Sequence, residues 1–377
     1  FKQKTAYEIK ECDWSSDVCS SDLIVRKKGA GSKLLLAYAD IFTTDGRFLP
    51  AARVEGSRRK DGTLLEFGLF AGKGLDDGSG DGTHVVRDAN RNVIAKSYMD
   101  TEGWGAQFQG TLAYERPLAG GKIRGNMMLF NDRFTSDAID RPELNAVREQ
   151  QSDVQLRRQA EFGLRYSRPM GPRSSIELVG LQTWKTNDYL SRFATPADAF
   201  RFLENDKSGE SIARGVYRFK PFESLDLEGG GEVAFNWLES ETSFDINGTP
   251  VPLPAGNVRV EEKRGEVFGT ANWRPTSKWA VEAGVRIEGS TISSEGDVSL
   301  EKTLTFVKPR IAATWSPTDK TQVRLRLERE VGQLNFRDFV ASASLNSTGI
   351  VSGNPNLDPQ QSLVFEATDR KSTRLNS

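Results

Sequence analysis

Cysteine and histidine are almost absent from this sequence, which removes two common kinds of functional site. Only two cysteines, Cys12 and Cys19, and one histidine, His84, occur in 377 residues. The CxxxxxxC spacing is no strong metal signature, and His84 has no second histidine with which to share a metal ion. The acidic segment 74–84, GLDDGSGDGTH, lacks the closing glutamate of a known calcium loop, so we expect a flexible outer loop there. The sequence therefore predicts no catalytic residue, no metal site and no cofactor.

Excess charge of one sign and long apolar runs are also missing. The sequence has 51 Lys and Arg residues and 52 Asp and Glu residues. It therefore has no excess of positive charge that would indicate binding to nucleic acid. No apolar run is long enough for a membrane-spanning helix, and the mean hydropathy is −0.51. Because the strands of a transmembrane β-barrel need apolar residues only at alternate positions, this composition leaves that class of membrane protein open.

What the sequence does contain is a strict period of two. In 279–288, Trp, Val, Ala, Val and Ile alternate with polar residues, and the runs 104–115, 225–237 and 321–328 behave alike. Alternation over eight or more residues indicates strands, and these strands are long enough to cross a bilayer at a tilt. We expect the odd-numbered residues of 225–237, 279–287 and 323–327 to face outward and the even-numbered residues to face a wet lumen.

The connections between these strands alternate in length. Short turns recur at five prolines, Pro117, Pro169, Pro221, Pro275 and Pro317. Between them lie predicted polar loops near 72–92, 135–156, 186–206, 241–260, 290–302 and 335–360. Aromatic residues stand just before the turn prolines (Tyr114, Tyr166, Phe219, Trp273 and Trp315), and Trp184 and Trp237 lie near the opposite strand ends. Short turns at one rim, long loops at the other and two aromatic girdles are typical of outer-membrane barrels.

We count fourteen strands, the first near 33–43 and the last starting near 361. The predicted fold is all-β, an incomplete transmembrane antiparallel up-and-down β-barrel whose two sheet edges lack partners. The runner-up is a passive porin-like outer-membrane channel with fewer strands, and a soluble all-β carbohydrate-binding or structural protein is third.

Two short motifs resemble the barrel of TonB-dependent outer-membrane receptors. GQLNFRDF (332–339) is similar to the family's R-P-x-F-x-[ED]-L segment, and GNPNLDPQQS (353–362) to its G-N-P-x-L-x-P-E-x-S segment. Gln333 and Leu334 replace Arg-Pro, and Gln360 replaces glutamate. IVRKKGAG (24–31) resembles the last strand of the family's plug domain. The motif residues to which we assign a structural role are Asn335, Phe336, Gly353, Asn354, Pro355, Leu357 and Pro359.

The resemblance implies a receptor for TonB-energised uptake of a scarce nutrient, of the ferric siderophore, cobalamin or oligosaccharide class. It implies a barrel of about twenty-two strands in the outer membrane of a Gram-negative cell, and no enzyme activity. The expected partners are the TonB complex (through a plug segment missing here), a small-molecule ligand and the lipid bilayer, with no nucleic acid. The expected domains are 24–31, the end of the plug, and 32–368, the partial barrel.

Four arginines on the predicted lumen face are weak candidates for binding an anionic substrate: Arg286, Arg310, Arg324 and Arg326. The alternative, which we favour, is that they pair across neighbouring strands with lumen-facing glutamates such as Glu282 and Glu328.

The two ends of the chain are unlike the rest. One DNA sequence, read in opposite directions, encodes both residues 14–23 and residues 369–377, and it resembles an adapter used in high-throughput sequencing. We therefore expect 1–23 and 369–377 to be adapter-derived and exclude them from fold reasoning.

Sequencing of the source gene across both junctions should recover neither 1–23 nor 369–377, because adapter DNA is absent from a genome. An intact genomic locus that encodes either peptide would contradict this prediction.

Overall fold

The computed structural model describes residues 31–41, 46–75, 79–297, 299–318, 321–345, 349–351, 354 and 356–371. Within these residues the chain is almost entirely β-strand, and no helix is long and apolar enough to cross a membrane. The predicted plug end at 24–30 and the tail segments 1–23 and 372–377 lie outside the described residues.

The strands, in chain order, are β1 (Ser32–Ile41), β2 (Phe48–Lys60), β3 (Thr63–Leu75), β4 (Gly80–Arg87), β5 (Val93–Leu118), β6 (Gly121–Leu144), β7 (Glu149–Gly171), β8 (Ser174–Ala194), β9 (Ala199–Phe222), β10 (Leu225–Ile246), β11 (Thr249–Val251), β12 (Asn257–Thr276), β13 (Trp279–Gly296), β14 (Leu300–Thr318), β15 (Thr321–Val331), β16 (Ser342–Ser344), β17 (Gly349–Val351) and β18 (Gln361–Lys371). A short 3₁₀ helix, η1 (Phe336–Phe339), follows β15.

Fourteen of these strands form one continuous antiparallel path, in the order β1-β2-β3-β5-β6-β7-β8-β9-β10-β12-β13-β14-β15-β18. The predicted strand number and antiparallel meander are confirmed. Along the described path β1 pairs only with β2 and β18 only with β15, so the sheet is not closed. Backbone N–H and C=O groups along these two edges need further strands before the sheet can sit in lipid.

The short turns gather at one rim, as predicted. Because successive strands of the path run antiparallel, every second connection lies at the same end of the sheet, and all five turn prolines stand at these connections. All six connections at this rim leave two residues between the strands, and in two of them, Asp61–Gly62 and Ala119–Gly120, both residues have positive φ. That geometry matches the twist of the flanking strands.

The strand β18 runs three residues beyond the predicted barrel end at 368. Asp369, Arg370 and Lys371 pair with Val323, Gln322 and Thr321 of β15. Backbone pairing accepts almost any side chain at a sheet edge, so this pairing carries no information about the origin of these residues. The adapter origin of 369–377 stays a prediction.

The predicted long loops are mostly wrong, because the chain there continues as paired strands. The ladder of β6 and β7 extends to Asp140 and Glu149, and that of β8 and β9 to Ala194 and Ala199. The segments 135–156 and 186–206 are therefore tall hairpins that close in a few residues. Strand pairing depends on backbone hydrogen bonds, and outside a bilayer it needs no apolar alternation in the sequence.

The outward apolar face has the predicted parity. Val233 is 61% exposed, Val285 42% and Leu325 46%, whereas Arg326 between two exposed leucines is only 9% exposed. Trp279 and Trp315 stack on each other at the proline rim with ring centroids 5.9 Å apart. Odd-numbered residues of these three strands thus form the membrane band, and even-numbered residues form the inner wall.

Farther from the proline rim the amphipathic pattern inverts. On β12 the outward positions change from Val267, Ala271 and Trp273 to Arg259 and Glu261, with Lys263 between them. The inward positions change in the opposite sense, and Val258 and Val260 are 3% and 0% exposed. Above the membrane band the strands therefore stand in water on the outside and bury apolar side chains on the inside.

A charge placed in the band should destabilise the sheet, and the same charge placed above it should not. Val285→Arg puts a guanidinium on the lipid face and should lower the free energy of unfolding by about 2–4 kcal/mol. The control Ser293→Arg lies on the same face of β13 above the band and should change it by less than about 0.5 kcal/mol. Denaturant unfolding in phospholipid vesicles measures both values, and equal values would contradict the inversion.

Candidate functional site

The four candidate arginines all lie on the inner wall. Arg286 is on β13, Arg310 on β14, and Arg324 and Arg326 on β15. All four arginines occupy even-numbered positions of these strands. The exposed valines and leucines of the membrane band lie on the other face of the sheet. Arg310 and Arg326 are 6% and 9% exposed, which limits their access to a solute.

Arg286, Arg310 and Arg326 take part in a chain of ion pairs along the inner wall. Arg286 contacts Glu266 at 2.8 Å, and Lys308 reaches both Glu266 at 2.9 Å and Glu288 at 2.8 Å. Charges of opposite sign thus alternate along the wall. The described contacts hold these side chains in place.

The chain of pairs continues through the two glutamates named from the sequence. Arg310 lies 3.1 Å from Glu282 and 3.7 Å from Glu328, and Arg326 lies 3.6 Å from Glu328. Arg310 pairs across strands with both glutamates, as favoured, whereas Arg326 meets Glu328 within β15 and pairs across strands with Glu366 of β18 at 3.0 Å. A direct contact between any of the four arginines and a substrate stays a prediction.

Aromatic contact adds to this wall on β12. Phe268 points inward, is 7% exposed and contacts two guanidinium groups. The Arg214 guanidinium carbon lies 4.7 Å from the ring centroid and that of Arg286 5.3 Å. Two cation–π contacts with one ring stabilise both cations without removing their charge.

Above the charged wall, the chain after β15 folds inward and packs against the wall. We call residues 332–341 the strap. Its 3₁₀ helix begins after Asn335, whose side-chain oxygen accepts a hydrogen bond from the Arg337 backbone N–H at 3.1 Å. Phe339 at the end of this helix is 2% exposed. The strap therefore has its own cap and its own buried anchor.

The apolar anchor of the strap fills the inverted part of the wall. Phe339 packs in one cluster with Val258 and Val260 of β12, Ile292 of β13 and Ala255, and Phe336 and Leu334 pack against the edge of that cluster. Burial of a phenylalanine contributes about 1.5–3 kcal/mol. The inversion of the strand pattern thus creates the apolar surface on which the strap rests.

A buried carboxylate pair on β9 holds the polar side of the strap. The Arg337 guanidinium contacts Glu204 and lies 3.1 Å from Asp206. Glu204 and Asp206 are each 6% exposed, and Asp206 also accepts a hydrogen bond from the Ser240 hydroxyl at 2.6 Å. Burial, together with the hydrogen bond and charge of Asp206, raises the pKa of Glu204 to about 7, although Arg337 opposes the shift.

Between the strap and β7–β10 lies a polar cavity of about 660 Å³. Arg157, Lys185, Glu210 and Glu262 line it from the wall, and Phe336 lines it from the strap. Positive, negative and aromatic groups in one chamber suit a polar solute of mixed character. Among the described residues no cluster of His, Cys, Asp or Glu could hold a metal ion.

The second motif contacts both the strap and β14. The Asn354 backbone N–H donates to the Asp338 carbonyl at 2.7 Å, and the Leu357 carbonyl accepts from Lys302 at 3.3 Å. Pro359 is buried, whereas Gly353 and Pro355 lie outside the described residues. These contacts are consistent with the structural role assigned to the motif, and that role stays a prediction.

Sequence reasoning missed Glu204, Asp206 and the partner that joins them, Arg337. The two carboxylates fall in the segment 186–206, which the sequence predicted as a loop. One signal could have revealed them: Phe202, Glu204 and Asp206 keep the even parity of the inner wall on β9. Two acidic side chains that face the inner wall are buried there, so they need a cation from elsewhere in the chain to neutralise them.

Comparison with known proteins gives a family and a fold. The family model described as "TonB dependent receptor-like, beta-barrel" matches residues 57–368. No curated protein matches the sequence. Three solved structures have the same fold: the ferric yersiniabactin uptake receptor of Yersinia pestis (TM-score 0.56, 11% identity), the ferric-catecholate import receptor of E. coli K12 (0.61, 9%) and a siderophore receptor of Acinetobacter baumannii (0.58, 11%).

The alignments with these structures cover 93%, 92% and 91% of this chain but only 53%, 56% and 55% of theirs. The chain thus spans just over half of the length of the solved structures it matches. At such low identity the likeness shows the fold alone.

The raised pKa of Glu204 predicts a pH-dependent stability. A carboxyl whose pKa is higher in the folded than in the unfolded state stabilises the fold below its unfolded pKa of 4.5 and loses that contribution as the pH rises towards 7. Glu204→Gln does not titrate, so its free energy of unfolding should rise relative to wild type by about 1–2 kcal/mol between pH 5 and pH 8.

The matched control is Glu239→Gln, which changes an outward-facing carboxylate on the neighbouring strand β10. Urea unfolding of wild type and both variants at pH 5 and pH 8 gives the three differences. A parallel pH dependence of wild type and Glu204→Gln would show that Glu204 does not titrate in this range.

Proposed function

Because the chain belongs to the family of TonB-dependent receptors, we propose that it forms part of the wall of an outer-membrane receptor for TonB-energised nutrient uptake. Proteins of this family reside in the outer membrane of Gram-negative cells and are not enzymes. The observation that carries the proposal is the inner wall, where a charged chamber is partly covered by the strap. A receptor needs a lumen that is shaped and lined for a solute, and the wall supplies both.

The substrate class we favour is a ferric siderophore. The three solved relatives are named as receptors for ferric yersiniabactin, for ferric catecholates and for a siderophore. A copper transporter shares the fold at a TM-score of 0.56 and 10% identity, so the fold itself accepts other cargo. Cobalamin and oligosaccharides remain in the proposal as further substrate classes.

The chamber beside the strap is the proposed ligand-facing region. Arg157 and Lys185 on its wall offer cationic contacts to an anionic chelate, and Phe336 offers an apolar surface. The four candidate arginines lie mostly below it in the ion-pair chain. We assign them the secondary role of contacts for a solute that has already left the chamber.

The partner proposed for energy supply is the TonB complex, acting through a plug segment. The resemblance of 24–31 to the end of a plug supports this partner, although 24–30 lie outside the described residues. A receptor with a plug in its lumen needs work to admit a solute, whereas a passive channel does not.

Deletion of TonB separates these two mechanisms. Cells that express the full-length protein as their only receptor should bind a radiolabelled ferric siderophore with or without TonB, since binding needs no energy. Import into the cell should fall at least tenfold without TonB, on the order of 1.4 kcal/mol or more in the effective barrier.

A set of ferric hydroxamate, ferric catecholate, cobalamin and maltooligosaccharide probes tests the substrate class in the same cells. Import of one iron chelate alone supports the favoured class. Import that persists unchanged without TonB would replace the receptor by the passive channel.

A further inference from the structure

The strap forms one side of the polar chamber. Residues 333–337 line the cavity of about 660 Å³ opposite the strands β7–β10. Backbone hydrogen bonds fix both ends of the strap: the Gly332 N–H donates to the Gln360 carbonyl at 2.8 Å, and the Ala341 N–H donates to the Ala255 carbonyl at 3.4 Å. The position of the segment between these two ends therefore decides how wide the chamber is on this side.

Two side chains of opposite chemistry join the middle of the strap to the wall. Phe339 is buried in the apolar cluster, and it has no group that titrates. Arg337 contacts Glu204 and lies 3.1 Å from Asp206, and about half of its side chain is exposed to water. Of these two contacts, the polar one alone depends on protonation.

The two carboxylates carry more charge than the strap neutralises. When both are ionised, the single guanidinium of Arg337 faces two negative charges in a largely dry site. Asp206 accepts a hydrogen bond from the Ser240 hydroxyl at 2.6 Å, which favours its ionised form. The proton therefore goes to Glu204, and burial together with Asp206 raises the pKa of Glu204 to about 7.

The elements packed around Glu204 leave the balance of charge to Arg337. On β10 the cross-strand partners of Glu204 and Asp206 are the neutral residues Thr242 and Ser240. On β8 the Asn187 amide donates to Glu204 at 3.5 Å. The other charged or titratable side chains of the neighbouring wall interact with acids of their own: Tyr189 with Asp153, Arg157 with Asp132, and Lys185 with Glu161. The strap's second charged group, Asp338, is exposed and acidic.

We propose that the strap is a proton-operated latch on the chamber, closed while Glu204 holds a proton and released as Glu204 gives that proton to water. The like charges of the two ionised carboxylates and the cost of burying them then oppose closure, and lifting the strap relieves both by admitting water. The two bonded ends keep the strap attached, so release is a local movement beside an intact sheet. This inference rests on the proposed function, because access of a nutrient to the chamber is what the latch regulates.

The direction of the pH effect follows from the two states of Glu204. In the released state Glu204 meets water, and its pKa returns towards the ordinary value of 4.5. A carboxyl whose pKa is higher in the closed state favours closure below pH 4.5 and loses that contribution as the pH rises towards 7. The strap should therefore open more often at pH 8 than at pH 5.

Hydrogen–deuterium exchange of the full-length receptor, followed by mass spectrometry at pH 5 and pH 8 without any nutrient, tests the latch. Exchange rates are divided by the intrinsic rate at each pH, so that they report how often the backbone opens. In wild type the protection of segment 336–341 should be at least about tenfold lower at pH 8 than at pH 5, as expected for one carboxyl with a raised pKa. Peptides from the β9–β10 ladder serve as the internal reference and should keep their protection.

Three substitutions separate the parts of the latch. Glu204→Gln has nearly the same shape but cannot ionise, so the protection of the strap at pH 8 should stay within about twofold of its value at pH 5. Arg337→Gln leaves the carboxylates without their cation and should lower that protection at least about fivefold at pH 8. Arg337→Lys restores a positive charge and should recover part of the loss. The control Glu239→Gln changes an outward carboxylate of β10 and should behave as wild type.

Three results would overturn the proposal. They are equal protection of the wild-type strap at both pH values, a fall in Glu204→Gln as large as in wild type, and wild-type protection in Arg337→Gln. Heat-modifiable gel migration checks that each variant is folded. Because the exchange measurement needs neither nutrient nor TonB, a failed latch leaves the proposed receptor function standing, and a failed uptake test leaves the latch standing.

Discussion

The need to pair every backbone N–H and C=O group governs this structure. A strand in lipid finds no water for its polar backbone, so it must be hydrogen-bonded on both sides along its whole membrane-spanning length. Twelve of the fourteen path strands meet this condition with two neighbours, and the edge strands β1 and β18 meet it on one side. The long ladders and the two-residue turns follow from this requirement, and the two open edges leave it unmet on one side.

Once the ladders are fixed, each strand has two faces, and the solvent on each face selects the side chains. The band between the aromatic residues carries valine, isoleucine and leucine outward and charged residues inward. Above the band, the outer face of the sheet meets water and the inner face is covered by the strap. Val258 and Val260 therefore point inward, while Arg259 and Glu261 point outward. The inverted region supplies the apolar surface that the strap covers, so the chamber exists because the strands extend beyond the bilayer.

Charge is used in two ways on the inner wall. In the band, arginines and lysines pair with glutamates that are close neighbours on adjacent strands. In the strap, one cation joins two buried carboxylates of a distant strand, and burial raises the pKa of Glu204 although Arg337 opposes the shift. The first arrangement is suited to a stable lumen lining, and the second to a segment held by a few contacts beside the chamber.

The sequence by itself determined the strand number, the parity of the membrane band and the rim of the proline turns. These properties depend on local alternation and turn chemistry, which are visible in eight or ten residues. The sequence did not reveal how far the hairpins extend above the membrane band. Strands that stand in water need no alternation of apolar residues, so the segment 186–206 resembled a loop. Only the tertiary structure joined Arg337 to Glu204, 133 residues apart in the chain. That contact depends on the register of six strands and on the path of the strap, and no local pattern encodes either.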